Sequence, residues 1–423
     1  MTNSRHYGPN AGSDCSLVRR RLIRHSWLAA AIITLLAGCA APAPPPPPVA
    51  TASPAPVQAL PFADAVLKAA NTVFSGASAN ARQGGQRQVV VIDPLVNGVT
   101  GEQSAATQQI QNRIVSLAQD KYPQFDIRPF SAAAVSQAPY VMVGTFTPVN
   151  AQGQTAGTRE AYRFCLVMVD LRAGKTVAKG VARARPDGVD TSPTGFFRDS
   201  PAWINDPSVK SYIDTCQATK VGDAISPTYL NGILTASIVS EAIDAYDASR
   251  YRDALELYQT AEKTPAGNQL RVYNGLYLTN WKLGHRDRAA EAFGRVVEYG
   301  LDSNSIGVKI LFRPGSTAFD TTQETVGPYD MWLRQIADRS ASKHACLQVT
   351  GNSSPSGSAA LNDQLSQLRA DYVKTRLEED APGLQGHIIA TGVGAKNNLV
   401  GTGADNLSDA LDRRVDFKVI PPC

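Results

Sequence analysis

The spacing of hydrophobic positions divides the chain after residue 60 into regions of different character. Residues 60–225, the first region, contain strand-like apolar runs at 88–93 (QVVVID) and 140–146 (YVMVGTF), with helical spacing at 61–74 and 102–121. The runs at 162–170 and 176–182 flank Gly174, whose place between them predicts a hairpin. Helices and strands in this order predict an α/β sandwich for the first region and a multidomain α+β fold class for the whole chain.

Residues 226–304, the helical region, show helical periodicity and an internal repeat. Residues 245–265 (AYDASRYRDALELYQTAEKTP) align with 280–300 (NWKLGHRDRAAEAFGRVVEYG) at an offset of 286 − 251 = 35 residues. The offset places Ala254 on Ala289 and Tyr258 on Phe293, and it resembles the ~34-residue tetratricopeptide repeat. Two interpretations remain open: a connector that packs the flanking regions together, or a groove for an envelope protein partner.

Residues 305–423, the last region, predict a two-layer βαβαββ sandwich. The predicted strands and helices, in chain order, are 308–312, 329–341, 346–349, 359–377, 388–391 and 414–420. Within the second helix, apolar residues recur every three or four positions and predict its buried face: Leu361, Leu365, Leu368, Tyr372 and Val373.

The amino-terminal segment has the layout of an export signal. A basic block at 19–24 precedes an apolar run at 27–37 that is shorter than the ~20 residues of a spanning helix. The sequence LAGC that ends at Cys39 resembles a bacterial lipoprotein signal. This resemblance implies that residues 1–38 are cleaved and that Cys39 carries acyl chains as a lipid anchor, with Ala40 favouring the outer membrane, facing the periplasm. An uncleaved membrane anchor with an incidental cysteine is the alternative.

A proline-rich linker follows the anchor, over residues 39–59. It contains APAPPPPPVATASPAPV, and proline restricts both its own backbone and that of the preceding residue. The segment is therefore expected to be an extended spacer of about 3 Å per residue.

Charge and cysteine content narrow the functional classes. Before Cys39 stand 5 of the 41 basic and 1 of the 37 acidic residues, so 36 of each remain, and a neutral mature chain gives no electrostatic case for nucleic-acid binding. The other mature cysteines, Cys165, Cys216, Cys346 and Cys423, allow three disulfide pairings. Pairing Cys165 with Cys216 and Cys346 with Cys423 keeps each bond within one predicted domain. No CxxC motif is present, and neither a metal site nor a cofactor is predicted.

The last region carries several separately placed motifs. Residues 351–369 (GNSSPSGSAALNDQLSQLR) resemble the pattern GHTDxxGSxxYNxxLSxxR of the OmpA-like peptidoglycan-associated domain. Phe312 and Ser316 match its FxxxS, residues 392–394 (GVG) its GxG, and residues 412–415 (DRRV) its NRRV. The resemblance implies non-covalent binding of the diaminopimelate in the peptidoglycan stem peptide, with the aspartate of GHTD and the arginine of LSxxR clamping its ammonium and carboxylate groups.

This chain keeps half of that clamp. Arg369 is in place, and an arginine fork suits a carboxylate. Asn352, Ser353 and Ser354 replace the histidine, threonine and aspartate, and losing a charge-assisted hydrogen bond costs about 1.5–3 kcal/mol, roughly ten- to a hundredfold in affinity. The candidate peptidoglycan-binding residues are Arg369, Ser354, Asn352, Asn362 and Arg413.

Structural roles compete with binding at each of these positions. Arg369 can brace the sheet through an acid, Arg413 and Arg414 alternate across a strand so that only one can face a site, and Asn362 can be a structural hydrogen-bonding residue. Asp363 is a candidate replacement for the missing acid, although its place on the helix turns it away from Asn362.

These observations predict a non-enzymatic function. The chain contains no GxSxG, P-loop or HExxH motif. The strand and hairpin order of the first region also resembles periplasmic domains of the curli-secretion and penicillin-binding-protein-activator lipoproteins. The expectation is a lipid-anchored envelope protein that tethers to or senses peptidoglycan. The alternative is a periplasmic adaptor for a secretion or wall-synthesis machine, whose OmpA-like domain no longer binds diaminopimelate.

Overall fold

The computed structural model describes residues 58–81, 87–155, 159–203, 205–321, 328–399, 403 and 408–421. The predicted signal segment, the predicted lipidation site Cys39, almost all of the predicted linker and Cys423 lie outside these residues. None of the described helices has the length and apolar character needed to cross a membrane.

The first region is built on a mixed sheet whose strands run in the order β3-β1-β4-β5-β6, with β2 paired to β4. Its strands are β1 (Gln88–Ile92), β2 (Val96–Asn97), β3 (Phe125–Arg128), β4 (Tyr140–Val149), β5 (Ala161–Asp170) and β6 (Lys175–Ala184). Its helices are α1 (Phe62–Ala81), α2 (Ala105–Lys121), α3 (Ala132–Val135), α4 (Gly195–Asp199) and α5 (Pro207–Gln217). The β5–β6 hairpin turns at Gly174, whose φ is +62°, as the sequence predicts.

Helices cover both faces of this sheet, so the sandwich has three layers. Alternate residues of β5 point to opposite faces: Phe164, Leu166 and Met168 pack with α1 and α2, whereas Cys165 and Val167 pack with α3 and α5. A disulfide joins Cys165 to Cys216 with their Cα atoms 5.9 Å apart. It fixes the carboxyl end of α5 to the sheet.

The helical region forms two consecutive helix pairs. Its helices are α6 (Pro227–Asp247), α7 (Tyr251–Glu262), α8 (Leu270–Lys282) and α9 (Arg286–Asp302). The start points of α7 and α9 reproduce the 35-residue offset, and Tyr258 and Phe293 are both fully buried. A Cβ on Gly275 would lie 2.2 Å from the Tyr258 ring, so glycine lets α8 approach that ring closely.

The last region has the predicted order of strand, helix, strand, helix, strand, strand. Its elements are β7 (Ser305–Leu311), α10 (Tyr329–Ser342), β8 (Cys346–Gly351), α11 (Ala359–Asp380), β9 (Ile388–Gly392) and β10 (Arg414–Ile420). The sheet order is β7-β10-β8-β9, with β10 antiparallel to β7 and β8 and with β8 parallel to β9. Buried Cys346 begins β8, and its predicted partner Cys423 lies outside the described residues.

The helical and last regions share one hydrophobic core. Trp332 of α10 stacks on Phe293 of α9 with ring centroids 5.6 Å apart, and its Nε1 donates to the Tyr277 hydroxyl at 2.9 Å. The described residues from 58 onward accordingly belong to one compact unit. The domain boundaries near 225 and 304 stay predictions.

A short segment of the first region also extends the sheet of the last region. Ala202 forms an antiparallel bridge with Val308 of β7, and the Trp203 amide donates to the Gly307 carbonyl at 2.6 Å. Beside this pairing, Lys309 Nζ lies 2.7 Å from Glu102 Oε1, with both side chains about nine-tenths buried. Hydrogen bonds and a buried ion pair therefore join the two regions.

Candidate functional site

Helix α11 turns a polar row toward the sheet, which corrects part of its predicted buried face, since Val373 is buried as predicted and Tyr372 is partly buried against the core. Asn362, Ser366 and Arg369 are buried, whereas Leu361 is 57% and Leu368 48% exposed. The polar row and the leucine row have the same helical spacing and lie side by side, so periodicity alone could not choose between them. The polar row faces inward because the sheet side supplies its hydrogen-bond partners.

Arg369 is held by the backbone of its own chain. Its side chain is fully buried, and the guanidinium donates to three carbonyls: Arg313 at 3.0 Å, Ser316 at 3.0 Å and Asn352 at 2.9 Å. Its Cζ also lies 5.2 Å from the centroid of the Phe312 ring. These bonds fasten the segment after β7 and the turn after β8 to α11, which is a bracing role.

The turn after β8 contains two buried acceptor atoms without a hydrogen-bond partner. The backbone N–H of Asn352 donates to the Arg414 carbonyl at 2.9 Å, and the backbone N–H of Ser353 donates to the Gly394 carbonyl at 3.0 Å. Both side chains are almost completely buried, yet Asn352 Oδ1 and Ser353 Oγ have no partner among the described residues. Because buried polar atoms are nearly always paired, these two oxygens mark the place where a ligand or water donor would fit.

Ser354 and Asp363 lie at the edge of this turn. The Ser354 hydroxyl is 3.0 Å from that of Ser356. The Asp363 side chain is exposed, and a Cβ on Gly394 would lie 2.2 Å from its Oδ1. The exposed carboxylate therefore stands against the turn after β9, while no carboxylate occupies position 354.

The two consecutive arginines before and at the start of β10 have separate partners. Arg413 Nε donates to the Phe312 carbonyl at 3.0 Å, and its Nη2 lies 3.9 Å from Asp320 Oδ2. Arg414 Nε donates to Asp416 Oδ1 at 2.9 Å, and Asp416 Oδ2 accepts from Asn352 Nδ2 at 2.9 Å. Asp416 therefore connects Arg414 to the candidate site. Sequence reasoning missed its role, although it stands in the RVDF run of the predicted strand.

The predicted site residues come together as a closed polar cluster. Arg369 donates to the Asn352 carbonyl, and Asn362 lies on the same face of α11 as Arg369. Arg413 donates to the carbonyl of Phe312, whose ring lies beneath the Arg369 guanidinium. No member is more than 6% exposed. The cluster offers hydrogen-bond acceptors in Asn352 and Ser353. Because both side chains are buried, a ligand can reach these acceptors only if the surrounding chain moves.

Similar solved structures come from bacterial envelope proteins. The peptidoglycan-associated lipoprotein from Burkholderia pseudomallei is 24% identical, with 26% of this chain and 89% of that chain covered at a TM-score of 0.23. The cell wall anchor of the T6SS from Pseudomonas aeruginosa is 23% identical over 30% of this chain and 96% of that chain, also at 0.23. The periplasmic domain of Helicobacter pylori MotB is 16% identical over 26% and 69%, at 0.20.

Identities and TM-scores this low carry no argument about function by themselves. The chain matches no family model and no curated protein sequence.

Proposed function

We propose that this chain is a cell-envelope protein that associates non-covalently with peptidoglycan through residues 305–423. The observation that carries the proposal is the pair of buried, unpartnered acceptors, Asn352 Oδ1 and Ser353 Oγ. They directly precede position 354, where the resembling motif has its ligand-binding aspartate. In the same proposal, Cys39 is acylated and anchors the chain in the outer membrane, facing the periplasm, with residues 39–59 as the spacer.

The chemistry of the site favours a weak or altered ligand interaction. Neutral acceptors can bind the amide or ammonium hydrogens of a stem peptide, but they contribute less than a carboxylate because a charge-assisted hydrogen bond is roughly twice as strong. Arg369 already donates to three carbonyls. A ligand carboxylate must therefore displace one of those bonds.

Restoring the missing acid tests the assignment. The assay measures how much of the unacylated chain, from residue 40 onward, sediments with purified diaminopimelate-type peptidoglycan. Ser354→Asp should raise the affinity about ten- to a hundredfold over the unmodified chain, since it adds one charge-assisted hydrogen bond.

The matched control is Ser356→Asp, which adds the same charge two residues away, where the side chain is only partly buried. This variant should behave like the unmodified chain. If Ser354→Asp sediments no better than Ser356→Asp while both remain folded, the site is wrongly assigned.

A second candidate function is that of a periplasmic adaptor for a secretion or wall-synthesis machine. The full burial of Arg369 and its bonds to its own backbone favour this alternative, because they describe a structural cluster. Failure of both the unmodified chain and Ser354→Asp to sediment would favour the adaptor.

A further inference from the structure

Strand β6 at the edge of the first region has two chemically different faces. Ala178, Gly180 and Ala182 are buried against α1, and a Cβ on Gly180 would lie 2.1 Å from the Ala69 carbonyl oxygen. The intervening positions, Lys179, Val181 and Arg183, face the α5 side of the sheet, and Val181 is 51% exposed. The small residues allow close packing on one face, while the other presents cations around an exposed apolar side chain.

A second strand adds to this positive charge. Arg163 of β5 is the register partner of Arg183, so two guanidinium groups stand directly opposite each other on antiparallel strands. Like charges in this arrangement repel. No ion pair between described residues includes Arg163, Lys179 or Arg183. These three side chains, which we call the cationic row, therefore form no ion pair in the described part of the chain, and Asp223 is the acid whose charge acts on Lys179.

Burial first, and like charge second, lowers the pKa of two groups in the cationic row. Burial, followed by the charge of Arg183, lowers the pKa of Arg163 below its ordinary value. Burial, followed by the charge of Arg163, lowers the pKa of Lys179, against the opposing effect of Asp223. An external anion beside the row would relieve this repulsion.

Neighbouring backbone carbonyls and the Gln217 side chain hold the cationic row in position. Arg183 Nη1 donates to the Ala151 carbonyl at 3.1 Å, and Arg163 Nη2 donates to Gln217 Oε1 at 3.2 Å. Lys179 Nζ donates to the Cys216 carbonyl at 2.7 Å, at the end of α5 that the disulfide fixes. Because a guanidinium has five N–H groups, each arginine retains donors beyond these bonds.

The chain enters the first region beside the cationic row. The Leu60 amide donates to the Arg183 carbonyl at 2.9 Å, and the Arg185 amide donates to the Leu60 carbonyl at 2.8 Å. Cys39 lies 60 − 39 = 21 residues before Leu60, a distance of at most about 65 Å for an extended proline-rich segment. A tether from Cys39 therefore joins the fold at the sheet edge that carries the row.

We propose that the cationic row is a membrane-docking surface that binds phosphate groups of lipid headgroups, with Val181 entering the interfacial layer between them. The inference rests on the proposed lipid anchor for its orientation. Exposed Arg185 lies farther along the same edge, where it pairs with the exposed Asp187 at 4.0 Å. The mature chain has no net charge, so the positive charge of this surface is local. We therefore expect it to attract anionic headgroups only at short range.

Vesicle flotation tests the proposal with the unacylated chain from residue 40 onward, so that any binding is independent of acyl chains. The chain should bind vesicles that contain phosphatidylglycerol and should not bind vesicles of phosphatidylcholine alone. Binding should fall when salt is raised from about 0.1 M to about 1 M, because the Debye length shrinks from ~10 Å to ~3 Å. Arg163→Gln combined with Arg183→Gln should weaken binding at least tenfold, since each cation near the surface contributes separately.

The matched control is Arg252→Gln combined with Arg288→Gln, which removes two exposed cations from the helical region. It should bind as the unmodified chain does. Equal binding by the two double variants would overturn the proposal, as would displacement from vesicles by millimolar inorganic phosphate at constant ionic strength, which indicates a soluble-anion site. Peptidoglycan sedimentation by the same proteins is a separate measurement, so failure of the proposed function stays distinguishable from failure of membrane docking.

Discussion

The last region and the first region treat buried charge in opposite ways. In the last region, Arg369 donates to three carbonyls and Arg414 pairs with Asp416. In the first region, Arg163 faces Arg183, and the buried carboxylate of Asp93 receives a hydrogen bond from the Tyr229 hydroxyl at 2.8 Å.

This difference separates two kinds of charged residue. A charge whose partners belong to the fold stabilises the fold, and its removal leaves those partners buried and unsatisfied. A charge that burial or a like charge opposes adds little stability, so its retention calls for another explanation, such as a ligand or surface outside the chain. Stability measurements can therefore test the comparison residue by residue.

The largest effect is expected at Arg369. Arg369→Ala removes three hydrogen bonds to backbone carbonyls and opens a cavity, so the free energy of unfolding should fall by about 4 kcal/mol. Urea unfolding monitored by tryptophan fluorescence measures the loss, since Trp332 packs in the same core.

Arg376→Ala is the control on the same helix. Arg376 is 26% exposed and pairs with the exposed Asp330 at 2.8 Å, so its loss should cost less than about 1 kcal/mol. Equal effects of the two substitutions would contradict a bracing role for Arg369.

The next effect concerns the ion pair that joins the two regions. Glu102→Ala leaves the buried ammonium of Lys309 without its carboxylate and should cost about 3 kcal/mol in unfolding free energy. Combining Glu102→Leu with Lys309→Met replaces the pair with apolar groups of similar size and should recover most of that loss. A double variant as unstable as Glu102→Ala would show that the geometry of the ion pair, rather than an isolated charge, holds the regions together.

The sequence predicted elements with strong local signals. The bounds of β10, the turn at Gly174 and the 35-residue offset between α7 and α9 follow from apolar runs, glycine and repeated alanine and aromatic positions. The mixed α+β class is likewise confirmed. These features depend on residues close in sequence, and hydrophobic periodicity reports such relationships well.

The environment of the candidate site depended on contacts distant in sequence. Arg369 is buried because carbonyls at 313, 316 and 352 converge on it, and β7 gains a neighbour from Ala202. Neither arrangement leaves a periodic signal, so the sequence counted the exposed Leu361 and Leu368 as buried, while Val373 is buried as predicted. The roles of the candidate site residues in binding peptidoglycan stay predictions.

At Asp93 the comparison becomes a pH dependence. Burial raises the pKa of Asp93 to about 7, while the hydrogen bond from Tyr229 and the charge of Arg271 act in the opposite direction. Because the folded chain binds this proton more tightly than the unfolded chain, Asp93 makes stability fall as pH rises from about 4 to about 7.

Asp93→Asn keeps an acceptor for Tyr229 and removes the charge. It should therefore match the unmodified chain near pH 4 and exceed its unfolding free energy by about 4 kcal/mol near pH 7.5, since the pKa lies about three units above its ordinary value and one unit corresponds to about 1.4 kcal/mol. Taking the difference between the two proteins cancels the contributions of Asp206 and Asp244, whose pKa values burial also raises. Asp253→Asn, on the exposed surface of α7, is the control and should give no pH-dependent difference. If Asp93→Asn is less stable than the unmodified chain at pH 7.5, the charge of Asp93 stabilises the fold, as the paired charges of the last region do.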